Sequence, residues 1–365
     1  MSNLIKTAKQ KSSEVNYWLL PASWIYGMGV WVRNEFFDYG LLNSHDYTIP
    51  VISVGNITVG GTGKTPHVEY LVRLLKDRYK VAVLSRGYKR RTKGYLLANQ
   101  QSTANDIGDE PFQIKNKFPK INVAVDANRR EGIRRLCKDN ASKGVEVVLL
   151  DDAFQHRYVR PSLNILLTDY NRPVYMDKLL PAGRLRESRR GIRRADIVIV
   201  TKCPASLDFN EIRLITKRLA LQEHQELFFS TMSYQHLQPL YCGDDVPLDA
   251  ITPDENILAI SGIAEPRPMI EEIRRRNNHL THLSFDDHHT FTPEDIDKIN
   301  MTFESLPSPK RAITTEKDAA RLVNIGTLSE PLRHSLFTLP IEVEILQGKA
   351  GQFDNYIIEH ISRHT

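Results

Sequence analysis

The feature that most constrains the fold is a glycine-rich segment between an apolar run and a helical pattern. Residues 55–66 read GNITVGGTGKTP and directly follow the apolar run of residues 47–54. Glycines let backbone N–H groups turn inward around phosphate oxygens, and the start of a helix adds its dipole. The pattern GxxxxGK[ST] is met except at its first glycine, where Thr58 stands. A strand, a phosphate loop and a helix in this order predict a nucleotide-binding α/β fold.

The phosphate loop assigns roles to consecutive residues. Lys64 can reach the β- and γ-phosphates of a nucleotide, and the Thr65 hydroxyl can ligate Mg²⁺. The residues predicted to bind the nucleotide are Gly60, Gly61, Thr62, Gly63, Lys64 and Thr65.

An acidic pair follows a second apolar run. Residues 145–150 lead straight into Asp151 and Asp152. Carboxylates at the carboxyl end of a parallel strand beside a phosphate loop can hold Mg²⁺, directly or through water. The sequence therefore predicts a metal site formed by Thr65, Asp151 and Asp152, and the alternative is a helix cap or a solvated turn.

The alternation of elements predicts two α/β units. Six apolar runs between residues 47 and 201 alternate with helical patterns, which is typical of a parallel sheet covered on both faces. The rhythm stops at residues 225–250 and resumes from residue 257. We expect a P-loop NTPase-type parallel-sheet core with a second, smaller α/β domain and an N-terminal membrane-associated helix. The expected divisions are residues 1–45 for the N-terminal segment, 46–230 for the P-loop core, 231–250 for a linker and 251–365 for the C-terminal α/β domain.

The N-terminal segment carries no charge over residues 15–32, and all three tryptophans of the chain, Trp18, Trp24 and Trp31, lie in it. Eighteen helical residues rise about 27 Å, just short of a hydrocarbon core, and tryptophan prefers the membrane interface. We expect this segment to attach the protein to a membrane, either by lying in the interface or by spanning it. The alternative is a buried amphipathic helix of a soluble core.

Composition excludes several classes of protein. Of 365 residues, 41% are hydrophobic and 25% charged, unlike a disordered or coiled-coil chain, and the mean hydropathy of −0.37 excludes a polytopic membrane protein. Three widely spaced cysteines form neither a disulfide framework nor a CxxC metal site. The formal net charge of +5 permits an anionic partner without choosing one.

Three further clusters contain polar residues without a self-contained motif. Residues 108–111 read GDEP, which also suits a turn before a helix, and residues 285–289 read FDDHH. Adjacent histidines on a strand point to opposite sides, which disfavours one metal bound by both. A basic run contains Arg184, Arg186, Arg189, Arg190, Arg193 and Arg194. It is either a solvated face or a contact for anionic lipid or substrate phosphate.

Taken together, these motifs resemble those of the tetraacyldisaccharide 4′-kinases, the lipid A 4′-kinases of Gram-negative bacteria. The resemblance runs from residue 15 to about residue 320. It rests on the segments GNITVGGTGKTP at 55–66, SRGY at 85–88, GDEP at 108–111, DDAFQH at 151–156, LPAGRLRE at 180–187 and FDDH at 285–288.

The resemblance implies phosphoryl transfer from ATP, with Mg²⁺, to the 4′-hydroxyl of a tetraacylated glucosamine disaccharide 1-phosphate, giving lipid IVA. It implies Asp109 as the base that accepts the hydroxyl proton, with His288 as its partner and His289 as the alternative. Lys64 would act on the transferred phosphate. The implied contacts for substrate phosphate and sugar are Arg129, Gln155 and Arg184.

The resemblance places the site in the cleft between the two α/β units and the protein on the cytoplasmic face of the bacterial inner membrane. Two other classes remain open: a membrane-associated P-loop ATPase or GTPase switch without a sugar substrate, and a non-enzymatic binder of lipid or nucleic acid. No recognition-helix, RNA-recognition or zinc pattern supports nucleic acid. We predict no nucleic-acid and no stable protein partner.

Overall fold

The computed structural model describes residues 15–287, 289–323 and 328–364. Within them the strands are β1 (Val51–Asn56), β2 (Val81–Ser85), β3 (Leu96–Leu97), β4 (Asn122–Val125), β5 (Val147–Asp151), β6 (Leu163–Asp169), β7 (Ile197–Thr201), β8 (Glu226–Tyr234), β9 (Gln238–Pro239), β10 (Asn256–Ser261), β11 (Leu280–Ser284), β12 (Lys310–Thr314), β13 (Leu336–Thr338) and β14 (Ile341–Ile345).

The helices alternate with these strands. They are α1 (Leu20–Asp38), α2 (Lys64–Leu75), α3 (Ala104–Ile107), α4 (Asp109–Lys117), α5 (Arg129–Lys138), α6 (Phe209–Leu219), α7 (Arg267–Arg274), α8 (Pro293–Ser305), α9 (Glu316–Leu322), α10 (Glu330–Ser335) and α11 (Ala350–Ser362).

The larger sheet has nine strands in the order β14-β8-β7-β6-β1-β5-β2-β4-β3. All neighbouring pairs are parallel except the two outer ones, β14 with β8 and β3 with β4. Its central strands are buried on both faces, as their continuous apolar sequences predict. The carboxyl ends of β1, β2 and β5 therefore meet at one edge, where ligands bind in open α/β sheets.

The smaller sheet has five strands in the order β11-β10-β12-β13-β9, parallel except for β9. Its apolar core lies against α7, α8 and α10. After β13 the chain returns to the larger sheet, where β14 pairs with β8 and α11 adds Phe353, Ile357 and Ile361 to the core. The expectation of one C-terminal unit over residues 251–365 needs this correction, because strand pairing places residues 341–345 with the first unit.

A second correction concerns residues 225–250. The sequence predicts a linker or a small antiparallel piece there. Residues 226–229 of the nine-residue strand β8 instead pair parallel to β7, whereas residues 230–234 do pair antiparallel, with β14. Only Phe228, Phe229 and Ser230 are buried in it. Its apolar run is therefore too short to stand out from its polar neighbours.

Helix α1 rests on the larger unit along one narrow face. It begins with Pro21 in its first turn, where the missing N–H costs nothing. Ser23 and Phe37 are buried, whereas large apolar side chains face outward on the helix and just before it: Trp18, Trp24, Ile25, Met28 and Trp31. Among the described residues, none of the helices has both the length and the apolar character that a bilayer span requires.

Candidate active site

The phosphate loop connects β1 to α2 as the sequence predicts. Gly63 precedes the helix with a φ of +83°, and a Cβ there would lie 2.6 Å from Met232 Cε. The left-handed conformation therefore favours glycine here, and a side chain would in addition displace the end of Met232. Lys64 is the first helical residue, and the Thr65 side chain beside it is buried.

Side chains and a neighbouring strand hold the loop open. Asn56 Nδ2 donates to Thr62 Oγ1 at 2.8 Å, and Thr201 Oγ1 donates to the Thr62 carbonyl at 2.9 Å. Thr58 forms an antiparallel bridge with Leu185. Because this bridge holds Thr58 in extended backbone, the position has no need of the glycine that the usual pattern puts there.

Asp151 and Asp152 lie opposite the start of α2. Lys64 Nζ is 3.7 Å from Asp152 Oδ1. Asp152 adopts a φ of +49°, a left-handed conformation that is uncommon for a residue with a side chain. This conformation turns the chain sharply at the end of β5.

Asp151 is buried, and the Ser85 hydroxyl donates to its Oδ2 atom at 3.4 Å. Burial, followed by the charges of Glu110 and Asp152, raises the pKa of the Asp151 carboxyl to about 7. Its Oδ1 atom is buried with no hydrogen-bond partner in the described chain. A buried oxygen without a donor is an oxygen that a cation can satisfy.

These residues fit the predicted Mg²⁺. Carboxylate and hydroxyl oxygens are the ligands that Mg²⁺ takes from proteins, which usually supply one or two carboxylates and leave the rest to water and phosphate. In the described part of the chain, no three His, Cys, Asp or Glu side chains cluster as an all-protein metal cage would require. The donor set of Thr65, Asp151 and Asp152 therefore suits a metal shared with a nucleotide.

Asp109 and Glu110 begin α4, and both are held by α9 of the smaller unit. Arg321 donates from Nη2 and Nε to Asp109 Oδ2, at 2.7 and 3.1 Å. Lys317 Nζ lies 3.0 Å from Glu110 Oε1. The base predicted from the sequence therefore lies at the contact between the two units, as expected.

Glu110 is a site residue that the sequence reasoning missed. Burial would raise the pKa of its carboxyl, but Lys317 and then Lys64 lower it below its usual value. Its charge also acts on Asp151, so Glu110 belongs to the same electrostatic cluster as the phosphate loop. The sequence offered one indication of this, because Glu110 directly follows Asp109 in the GDEP segment of residues 108–111.

Of the two histidines in residues 285–289, the structure describes only His289. His288 lies outside the described residues. His289 Nε2 is 2.7 Å from Asp295 Oδ2, and its ring stacks on Phe285 at 5.0 Å between centroids. Asp295 also closes the capping box of α8 with Thr292. His289 thus has a local partner, which is a carboxylate other than Asp109.

The three residues predicted to contact substrate differ in exposure. Arg129 is buried and donates to the carbonyls of Asp126 and Asp151, at 2.7 and 3.3 Å. Gln155 Nε2 donates to the Asn56 carbonyl at 2.6 Å, beside the phosphate loop. Arg184 is exposed, and its guanidinium would lie 3.8 Å from a Cβ on Gly60.

Arg186 and Glu187 are further site residues that the sequence reasoning left unassigned. Arg186 Nη1 contacts both Asp152 oxygens at 3.2 Å and Gln155 Oε1 at 3.3 Å. Glu187 is buried and paired with Arg194. Both residues lie in the LRE sequence of residues 185–187. The sequence analysis grouped Arg186 with the other arginines of the basic run and so gave it no separate role.

Helix α1 contacts this network directly. The Tyr26 hydroxyl donates to the Arg186 carbonyl at 2.8 Å, and Arg33 Nη2 donates to the Gln155 carbonyl at 3.1 Å. The N-terminal helix is therefore part of the wall of the site.

The arrangement agrees with comparisons to known proteins. The profile of the family described as tetraacyldisaccharide-1-P 4′-kinase matches residues 15–362. The chain belongs to this family. Tetraacyldisaccharide 4′-kinases of Phocaeicola vulgatus and Bacteroides thetaiotaomicron are 50% and 51% identical to it over 354 and 362 residues. These matches cover 96% of this chain in both cases, and 97% and 95% of the relatives.

A solved relative gives the same fold. LpxK from Aquifex aeolicus, crystallised in complex with ATP, matches with a TM-score of 0.72 and 29% identity, over 94% of this chain and 98% of that chain. The predicted α/β fold class is thereby confirmed. Family membership also confirms that the chain is a kinase and favours that class over the P-loop switch.

Proposed function

We propose that this kinase transfers the γ-phosphate of ATP to the 4′-hydroxyl of a tetraacylated glucosamine disaccharide 1-phosphate, giving lipid IVA in lipid A biosynthesis. The proposal rests on the proximity of two features at the carboxyl edge of the larger sheet. One is the phosphate loop with Lys64, and the other is the start of α4, where Arg321 of the second unit holds Asp109. They are close enough that the charge of Lys64 lowers the pKa of Glu110, the neighbour of Asp109.

The nucleotide half of the site accounts for phosphate binding. The loop amides and the first amides of α2 donate hydrogen bonds to the phosphate oxygens, while Lys64 neutralises the charge that develops on the transferred group. When bound, Mg²⁺ would be held by Thr65, Asp151 and Asp152 and would offset the negative charge of the nucleotide phosphates. Arg186, fixed against Asp152, adds a second cation on the same side.

The acceptor half accounts for proton transfer. The sugar hydroxyl oxygen bonds to the γ-phosphorus, the bond to the β-phosphate oxygen breaks, and ADP leaves. The hydroxyl proton passes to the carboxylate of Asp109 as transfer proceeds. His288 is proposed as its partner, and Gln155 and Arg184 as contacts for the sugar and its phosphate.

The outward face of α1 supports membrane attachment. Trp24 and Ile25 are each 70% exposed, and Trp18 is 94% exposed, which soluble surfaces rarely offer as a continuous row. Aromatic side chains of this kind favour the headgroup interface. We propose that α1 lies in the cytoplasmic face of the bacterial inner membrane and brings the site to its lipid substrate.

Product formation distinguishes the candidate functions. Purified protein, ATP labelled at the γ-phosphate and the tetraacylated disaccharide 1-phosphate are incubated in mixed micelles, and lipids are separated by thin-layer chromatography. Labelled glycolipid identifies the kinase, phosphate release without it identifies a switch, and no turnover identifies a binder. We expect Lys64→Ala to reduce labelling by at least about 100-fold.

A matched control uses the other end of the same helix. Lys76 follows α2, is partly exposed and pairs with Asp77 on the surface. Lys76→Ala should leave labelling unchanged. Equal activity of the Lys64 and Lys76 variants would show that the loop is not the ATP site.

A further inference from the structure

A buried histidine lies directly behind the phosphate loop. His67 is in the first turn of α2, three residues after Lys64, and only 4% of it is exposed. Its Nδ1 atom is 2.7 Å from the carbonyl oxygen of Gly63, and its Nε2 atom is 3.0 Å from Ser230 Oγ. The ring therefore connects the last residue of the loop to strand β8.

The two partners of the ring determine where its proton lies. Burial lowers the pKa of His67 to about 4, so the ring is neutral near pH 7 and carries one proton. A carbonyl oxygen can only accept a hydrogen bond, so the proton is on Nδ1 and is donated to Gly63. Nε2 then accepts a hydrogen bond from the hydroxyl of Ser230, which is also buried. One tautomer thus satisfies both ring nitrogens.

The ring makes the shorter of two hydrogen bonds to the Gly63 carbonyl. The backbone N–H of His67, which is the usual helical donor to this carbonyl, is 3.3 Å away, longer than the common distance of about 2.9–3.0 Å. Gly63 has no Cβ and adopts a φ of +83°, so no side chain of its own restricts its backbone. The bond from the ring supplies a restriction that the glycine lacks.

The direction of this carbonyl sets the direction of the next amide. A peptide bond is planar and trans, so the Gly63 C=O and the Lys64 N–H point in opposite directions. The carbonyl points into α2, and the N–H therefore points out of the helix start. Because Lys64 is the first residue of α2, its N–H has no partner within the helix and is free to bind phosphate.

Strand β8 gives the ring a fixed support. The Ser230 carbonyl accepts from the Cys203 N–H at 2.9 Å, and Ser230 pairs with Ile345 of β14. Met232 lies two residues further, on the same face of the strand, and its Cε atom would be 2.6 Å from a Cβ on Gly63. Strand β8 therefore supports the end of the loop through one polar and one apolar contact.

We propose that His67 is a positioning residue for ATP binding, whose Nδ1–H holds the Gly63 carbonyl so that the Lys64 amide points at the phosphates. This inference rests on the proposed function, because it takes the phosphate loop as the ATP site. His67 acts through the backbone of the loop and, unlike Lys64, supplies no charge to the transferred phosphate. Its loss should therefore change the affinity for ATP.

Two substitutions of similar size separate this role from a purely structural one. Asn can place a side-chain N–H where Nδ1 lies, whereas Leu has the same branching and no donor. His67→Leu should weaken ATP binding about 10-fold, as expected when the amide that it orients is no longer held. His67→Asn should stay within about 3-fold of wild type. Isothermal titration calorimetry with ATP and Mg²⁺, without acceptor, measures both dissociation constants.

Thermal stability should rank the same two variants in the opposite order. Leu keeps the buried position apolar, whereas Asn is smaller and buries a second polar atom. We expect His67→Leu to melt at the higher temperature and yet to bind ATP more weakly. ATP affinities that follow the melting temperatures, or that are unchanged in both variants, would overturn the proposal.

Ser230→Ala is a milder change that serves if His67→Leu does not fold. It keeps the Nδ1–H of the ring but removes the donor at the other end, so ATP binding should weaken about 3-fold. The Asn side chain of His67→Asn ends before the position of Nε2, so Ser230→Ala should have no further effect in that variant. Equal effects of Ser230→Ala in wild type and in His67→Asn would overturn the proposal.

His282→Leu is the matched control. His282 Nε2 is 2.8 Å from Ser261 Oγ, a histidine–serine contact between β11 and β10 of the smaller sheet. This variant should bind ATP as wild type does. Because the measurements omit the acceptor, they separate this inference from the proposed function. Wild-type protein that binds no ATP would contradict both, whereas ATP binding that does not respond to His67→Leu would contradict this inference alone.

Discussion

Arg321 and Asp109 join the two α/β units of this protein at the proposed catalytic base. Two nitrogens of the Arg321 guanidinium donate to one oxygen of the carboxylate, at 2.7 and 3.1 Å. The third nitrogen is fixed by Asp318 and by the Gly262 carbonyl, so the cation is rigid. One carboxylate oxygen of Asp109 is thereby held in place by a unit that contributes nothing to the phosphate loop.

We infer that Arg321 is a positioning residue for Asp109. Arg321→Met should lower kcat by about 10–100-fold, because a displaced base no longer reaches the hydroxyl in line with phosphate transfer. The KM for ATP should hardly change, and Arg321→Lys should restore part of kcat. Steady-state kinetics with both substrates measure these effects.

The control for this variant is Arg311→Met. Arg311 forms a buried ion pair with Glu255 in the same unit, away from Asp109. Its loss should destabilise the protein without a selective effect on kcat. Equal kcat losses in the two variants would show that Arg321 only stabilises the folded protein and does not position Asp109.

The proposed pairing of Asp109 with His288 predicts how substitutions change the rate of the chemical step. Asp109→Asn should reduce the chemical rate by about 10²–10⁴-fold, since it removes the proton acceptor. If His288 acts with Asp109, the double variant should lose less than the product of the single losses. Rapid-quench measurements of a single turnover report this rate directly.

His289 serves as the neighbouring comparison. Because it bonds to Asp295 and stacks on Phe285, His289→Ala should mainly lower the melting temperature. A rate loss in His289→Ala that exceeds the loss in His288→Ala would move the proposed role by one residue.

Much of the nucleotide half of the site could be predicted from the sequence. The loop from Gly60 to Thr65 and the pair Asp151–Asp152 are local patterns, so residue types and their spacing are enough to predict what they would bind. The contacts of Asp109 and Glu110 could not be predicted this way. Their partners Arg321 and Lys317 lie 212 and 207 residues further along the chain.

The fold shows the same division. Central strands such as β5 are apolar up to the final Asp151 and stand out, whereas β8 is polar over much of its length and cannot be recognised from its sequence. The return of β14 to the larger sheet depends on a pairing over more than a hundred residues, which no local pattern records.

Attachment through α1 is best tested on its outward face. Deleting residues 1–40 would also remove the hydrogen bonds of Ser23, Tyr26 and Arg33 to the site. Replacing Trp24, Ile25, Met28 and Trp31 with Gln keeps those contacts. Each large apolar side chain contributes on the order of 1 kcal/mol or more when it leaves water. The variant should therefore move to the soluble fraction after centrifugation.

Exposed apolar residues elsewhere provide the control for α1. Phe209, Leu214 and Met301 are exposed on α6 and α8. Replacing all three with Gln should leave sedimentation with membranes unchanged. If the α1 variant still sediments at high salt, attachment lies elsewhere in the chain.

Asp151 predicts how stability depends on pH. Its pKa of about 7 in the fold is above the ordinary value of 3.8, so folding favours the protonated form. That contribution is complete below about pH 4 and is lost as pH rises through 7. The melting temperature of ligand-free wild type, relative to Asp151→Asn, should therefore fall between pH 5 and pH 8.

Mg²⁺ and ATP should reverse this trend for wild type. Metal binding requires the deprotonated carboxylate, so the stabilisation they give should increase over the same pH range. Thermal unfolding is measured at each pH with and without Mg²⁺ and ATP. An identical pH profile for wild type and Asp151→Asn would show that the carboxyl does not titrate there.

The most direct test of the central claim is the ratio of lipid phosphate formed to ADP formed. Both products are measured in one reaction of wild-type protein with labelled ATP and the 1-phosphorylated acceptor, and the position of the new phosphate is determined by ³¹P NMR. The account predicts one phosphate on the 4′-oxygen for each ADP. ADP formed without phosphorylated lipid, or a phosphate on any other oxygen, would contradict it.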